Sequence, residues 1–296
     1  MMSRNKSRNS FQVLPLEMER DYRAIDQLFD SEEWPFIRAD LEASHSQPRS
    51  TALVARTSQD LLGFFATHHF DDIGYLDMMI VSPTARASHV ARKLYFETTR
   101  QMKTKGMKGW VAHSTNDSYR MFKFMRFQPG QSFTLLARDP LSTTSTTESL
   151  APHQLTSESL DSLILLDEEV FGTSRTDWIT TLLNQPTTQF FGLQQEGELV
   201  ASLCMRTRKQ DAICLDCVNG RSMETLTPLL DRVLAGMLSR RLECFARTDS
   251  ALHHYLLQNG FTVPDFFAPI GPLVEWRKGS TGNVGLSSKV LSLAWF

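Results

Sequence analysis

Two kinds of chemistry are available to the residues between 75 and 94. The first is anion binding. The run Val81-Ser-Pro-Thr-Ala-Arg86-Ala87-Ser88-His89-Val90-Ala91-Arg92 follows an apolar segment, Tyr75-Leu-Asp77-Met-Met79-Ile80, and leads into a helical pattern that starts at Lys93. A buried strand, a proline turn with an arginine and then a helix start leave backbone N–H groups unpaired and pointing outward. With the helix dipole behind them, such groups attract phosphate. Arg86 and Arg92 add charge-assisted donors. His89 either binds a phosphate oxygen as an imidazolium or fills the space of one. The second chemistry is proton transfer. Asp77 is a candidate general base on the strand entering the turn, and alternation puts it on one face with Tyr75 and Met79. The competing reading is a strand-edge aspartate hydrogen-bonded to a loop.

Other reactive side chains point to structure. His68 and His69 are adjacent, face opposite sides of a strand and form no metal pair. His113 sits at another strand end, and no metal centre is expected. Of four cysteines, Cys214-Leu-Asp-Cys217 has redox spacing but lies inside an apolar strand-like run, away from any helix start that would activate it. A zinc site would want a second such pair, which is absent. Buried strand cysteines are the expectation.

The elements that must position these residues follow from periodicity. Strands are expected at 11–16, 51–55, 61–66, 75–81, 110–114 and 132–137. Helices are expected at 19–28, 34–43, from the turn to about Lys105 with Gly106 as the stop, and from an Asn116 or Asp117 cap to Met125. The chain is 296 residues long, 41% hydrophobic and 22% charged, with a formal charge of −2. That is enough for two ordinary domains with real cores, and it excludes a broad nucleic-acid-binding face. No apolar run is long enough for a membrane span, and a cytoplasmic protein is expected. The polar stretch at 141–150 cannot pack a core and acts as a linker. The division is therefore a disordered tail at 1–10, a first domain at 11–139, a linker at 140–153 and a second domain at 154–296.

The second part repeats the order of the first: helices at 160–170 and 177–183, strands at 189–193, 199–203 and 213–218, a helix at 223–238, a strand at 242–246 and a helix at 250–257. Phe122-Lys-Phe-Met-Arg126-Phe127 lines up with Tyr255-Leu-Leu-Gln-Asn-Gly260-Phe261, a repeat far longer than any solenoid unit. Residues 277–288 are a Gly/Ser-rich tail, and 290–296 return as a strand on the second domain.

The turn at 81–92 resembles the pyrophosphate segment of the GNAT acetyltransferase superfamily, V-x-P-x-x-R-G-x-G-x-G/A, with Ala87, His89 and Ala91 in the glycine places. The corner at 255–261 resembles the family's Y-x-x-x-G-F, while the first copy has Phe122 and Arg126 instead. The resemblance implies an α/β fold, a mixed sheet in each of two tandem GNAT-like domains, the second divergent. It implies acetyl-CoA (coenzyme A) held by Met79, Ile80, Val81, Arg86, Ala87, Ser88, His89, Val90, Ala91, Arg92 and Asn116. Asp77 would be the base and Tyr255 the acid, although Tyr255 equally reads as a core-packed hydroxyl. The implied activity is N-acetyl transfer to a small-molecule or peptide amine by a monomer or homodimer. The alternative is a non-catalytic CoA-binding or scaffold protein with a degenerate site.

Overall fold

The computed structural model describes residues 10–48, 50–86, 88–115, 118–141, 153–281 and the backbone of 290–291. Most of the expected tail and linker, and both Ala87 and Asn116, lie outside them. The first half runs β1 (Gln12–Pro15), α1 (Met18–Ser31), α2 (Arg38–Ser46), β2 (Thr51–Arg56), β3 (Leu61–Phe70), β4 (Ile73–Val81), α3 (Val90–Thr104), β5 (Gly109–Ser114), α4 (Tyr119–Phe124) and β6 (Gln128–Arg138). The second runs β7 (His153–Leu155), α5 (Leu160–Phe171), α6 (Thr176–Leu183), β8 (Thr188–Gln195), β9 (Glu198–Thr207), β10 (Ile213–Gly220), α7 (Met223–Gly236), β11 (Leu242–Arg247), α8 (Ala251–Gln258), β12 (Leu273–Gly279) and β13 (Val290–Leu291). No helix among the described residues is long and apolar enough to cross a membrane.

All of these strands share one mixed sheet, ordered β1-β2-β3-β4-β5-β12-β6-β11-β10-β9-β8-β7, with β13 on β10. Read inward from its two ends, the order is the same in both halves. Five strands come from one half, and the sixth comes from the other. The strand expected to close the first half, β6, pairs instead with β11 of the second, from Leu242↔Arg138 to Arg247↔Phe133. Its place beside β5 is taken by β12, from Val274↔Ser114 to Gly279↔Gly109. Residues 277–279, expected in a loose tail, are thus central strand. All three pair with β5 and Arg277 also with β6, which Gly/Ser content alone does not foretell. The returning strand at the terminus is present at Val290–Leu291, paired to β10.

The halves also share a core. Phe70, Ile73, Tyr75 and Val111 from the first half pack with Leu163, Trp178, Ile179 and Phe190 of the second. A buried charge cluster crosses the same boundary. Arg206 donates to Asp40 of α2 (2.5 Å) and to Asp216 of β10 (3.1 Å), and Arg208 bonds the same two carboxylates. All four side chains are at most 2% exposed. Charges this deep are tolerated because each guanidinium meets two acids.

Candidate active site

The site starts from a defect in pairing. β4 runs parallel to β5 from Ile73↔Gly109 to Leu76↔Ala112, and there the pairing stops. Against β3 the register steps from Thr67↔Leu76 to Phe65↔Met79, so residues 77 and 78 together face Ala66. This is a β-bulge, which bends its strand and re-aims side chains. It corrects the alternation expected for Asp77. Met79 joins Leu76, Leu94 and Tyr95 on the α3 side, whereas Tyr75 packs toward the second half. Beyond the bulge the strands part, and a cavity of about 650 Å³ opens between Asp77, Met79, Tyr95, Ser114 and Phe122.

Helix α3 begins at the end of the same strand. Gly63 of β3 lets it approach: a Cβ there would meet the Ile80 carbonyl at 2.9 Å and Val90 at 3.0 Å. His89 caps the helix with φ 65° and ψ 12°, the left-handed region favoured by glycine. The backbone shape of the family's glycine is therefore kept with a histidine in place. The His89 ring faces outward, into a hollow of about 550 Å³ shared with Phe11, Arg92, Lys93, Phe96 and Arg100. Lys93 lies over the Phe11 ring at 4.2 Å and Arg92 over Phe96 at 5.5 Å. Arg86 is exposed and paired with Glu32 at the end of α1. Ser88 bonds the Ala85 carbonyl through its hydroxyl. Ile80 and Val90 are core side chains, and Val81 and Ala91 are half-buried. Ile80 and Val90 can meet a ligand through backbone only.

Electrostatics at the bulge favour uncharged forms. Burial holds the Asp77 carboxyl well above the usual carboxylate range, against the pull of Arg206 and Arg208. His68 Nδ1 lies 3.5 Å from that carboxylate, and burial holds its imidazole well below the ordinary value. At the end of β5, burial pushes His113 down to about 4 despite Glu275. A raised acid and lowered imidazoles near a cavity are the kind of groups that can exchange protons at neutral pH.

The sequence comparison fits this geometry. Residues 16–127 match the family model described as Acetyltransferase (GNAT) family. That stretch is similar to a GNAT-family domain. Over the whole chain, the fold is that of tandem GNAT proteins. A Pyrococcus horikoshii protein assigned as an acetyltransferase superposes with TM-score 0.74 at 11% identity, covering 97% of this chain and 96% of that one. A tandem GNAT protein from the clavulanic acid biosynthesis pathway gives 0.63 at 15% identity, covering 92% and 99%. Saccharomyces cerevisiae N-myristoyltransferase, solved with myristoyl-CoA, gives 0.65 at 10% identity, covering 91% and 80%. Curated proteins give no significant match.

With the GNAT domain in view, the corner motif needs correction. Arg126 and Gly260 both take left-handed φ, 64° and 81°. The next amides bond back to Phe122 (3.0 Å) and Leu256 (3.1 Å) respectively. Leu256, fully buried, is therefore the counterpart of Phe122, and Tyr255 is one residue out of step. A helical residue one position earlier points about 100° away. Tyr255 donates to Asp231 of α7 at 2.5 Å and is not among the residues lining the cavity. Phe122 stacks on Trp276 of β12, centroids 5.3 Å apart. Tyr95 and Ser114 are among the cavity's hydroxyl residues, with Thr115 and Ser118, that motif reading overlooked. Tyr95 shows only as a helix position, and Ser114 only as a strand end.

The second GNAT-like half has the same bulge and a different tenant. The register of β10 against β9 steps from Asp216↔Cys204 to Asn219↔Ser202. Cys217 thus corresponds to Asp77, and Asn219 and Gly220 to Met79 and Ile80. β10 and β11 pair only at Ile213↔Leu242 and Cys214↔Glu243 before parting. β13 fills the opening, with Asn219↔Leu291 and Gly220↔Val290. Arg221, at the following helix start, is held by Glu169 (3.0 Å) and Glu198 (2.9 Å). All four cysteines are buried and unlinked, and burial raises every thiol pKa, that of Cys217 to about 12.

Proposed function

We propose that the first half transfers an acetyl group from acetyl-CoA to an amine and that the second half completes the acceptor side. The observation that carries this reading is the slot opened by the Asp77–Met78 bulge, which ends at the N-terminus of α3. The free edge of β4 past Leu76 suits the amide-bearing arm of the donor. The first-turn amides of α3 suit its pyrophosphate, and the hollow of His89, Arg92 and Lys93 suits the remaining nucleotide phosphate. In this arrangement Asp77 takes a proton from the incoming ammonium. Burial, which raises its pKa, makes it a stronger base than a free carboxylate. Tyr95, whose hydroxyl pKa is raised by burial, is the nearest analogue of the missing corner tyrosine and would return a proton to the leaving thiolate.

Titration calorimetry with acetyl-CoA and with CoA tests the donor site, and thiol release across an amine panel tests transfer. Binding without turnover would favour the second reading, a protein that senses a CoA thioester. The specific observations in its favour are that Phe122 and Leu256 leave both corners without an acid and that Glu32 occupies Arg86.

A further inference from the structure

The cavity does not end at the donor slot. It continues into the second half, where its wall is made of Phe245, Phe266, Phe267, Ile270 and Leu273. Phe267 is buried and set edge-on to Phe245, centroids 5.8 Å apart, in a cluster with Phe133, Leu135 and Leu273. Phe266 and Ile270 form the lip and remain 45% and 39% exposed. Large apolar side chains left in water around a cavity mouth are a feature of binding surfaces.

The charges on the same walls are mostly neutralised by neighbours. Arg208 is bound to Asp40 and Asp216, and Lys209 to Asp26 and Asp30. Arg241 is bound to Asp139 and Glu243, and Glu32 to Arg86. Glu33, exposed at the mouth with φ 57°, is the lining carboxylate for which the described residues provide no ion pair. An acceptor with several ammonium groups would need several such carboxylates. An anionic acceptor would need a cation not already committed.

We infer that the acceptor is a monoamine with an apolar body, aromatic or branched aliphatic, seated against the Phe245–Phe267 wall. Its ammonium enters past Glu33 toward Asp77. The inference deepens the transferase reading and rests on it. In the step implied, the ammonium loses a proton to Asp77, and nitrogen forms the C–N bond to the thioester carbonyl carbon. The C–S bond breaks, the nitrogen gives up its second proton, and the thiolate takes that proton, relayed by Tyr95, to leave as CoA thiol beside the N-acetyl amine.

The test uses the full chain, acetyl-CoA and three amines: 2-phenylethylamine, spermidine and kanamycin. Thiol release is followed, and donor binding is measured separately by calorimetry. Phenylethylamine should be acetylated with kcat/KM roughly tenfold or more above the other two. Phe266→Ala, on the exposed lip, should raise its KM roughly fivefold or more with donor affinity unchanged. Equal or better use of spermidine or kanamycin, no turnover of any amine by protein that binds donor, or an unmoved KM in Phe266→Ala would each overturn the inference. Absence of donor binding would overturn the transferase reading itself, and the monoamine with it.

Discussion

The two halves build the same bulge and use it differently. In the first, Leu76 and Asp77 stand where the second has Asp216 and Cys217. Asp216 is bound into the buried cluster with Arg206 and Arg208, so the second bulge helps hold the halves together. Asp77 has no such anchor and instead lines the cavity. The slot past each bulge follows suit. Beside Met79 it is open, and beside Asn219 it is filled by the chain's own β13. The lesson is that a parted pair of parallel strands leaves backbone groups in need of partners. Among the described residues, one half leaves them without a strand partner and the other satisfies them with its own β13.

Substitutions at the two bulges should separate these uses. Asp216→Ala leaves two buried guanidiniums short of an acid and should cost about 3–5 kcal/mol in urea unfolding, the largest stability effect expected. Asp77→Asn should leave stability at pH 7 unchanged or raised, because burial penalises the charged carboxylate, and lower kcat by roughly 10²–10⁴-fold. Equal stability losses at the two positions would break the comparison.

The pH dependence sharpens it. Because the folded Asp77 carboxyl titrates above its unfolded value of 3.8, the folded state binds the extra proton. Wild-type stability from this group is present at low pH and lost as pH rises from about 4 through the raised pKa. Asp77→Asn should lack that slope in pH-resolved unfolding, and a slope of opposite sign would show that the carboxylate is stabilised as an ion pair instead.

Smaller effects are expected at the turn and the corner. His89→Gly relieves a left-handed conformation and should raise stability by about 1 kcal/mol in thermal unfolding. Tyr255→Phe should lose about 1 kcal/mol with its bond to Asp231 and leave the acetylation rate unchanged, since that hydroxyl lies away from the cavity. A rate loss there would return the catalytic acid to the second half.

Much of this was legible in the sequence because local patterns decide it. Apolar periodicity marked the helices and most strands, and Gly106 stopped α3 with φ 89° as glycine does. The turn at 81–92 was recognisable because a strand, a proline and a helix start are local. Asp77 is a candidate for its place before that turn. Other features were out of reach because they depend on long-range pairing. Nothing near 128–138 or 273–279 says that the two strands change places, because both alternate well enough to pair anywhere. The one-residue offset at Tyr255 is already in the spacing, four positions from Phe122 to Arg126 but five from Tyr255 to Gly260, and the bonds to Phe122 and Leu256 confirm which residues correspond. The acceptor wall joins β11 to residues 266–273, which no motif connects.

The central claim is that one slot is open and the other is closed by the chain itself. Isothermal titration of CoA into the full-length protein tests it most directly. The account predicts one site per chain, abolished by substitutions in the first half such as Met79→Pro, which removes a β4 backbone N–H. Two sites per chain would show that β13 does not fill the second slot. No binding at all would contradict the donor site.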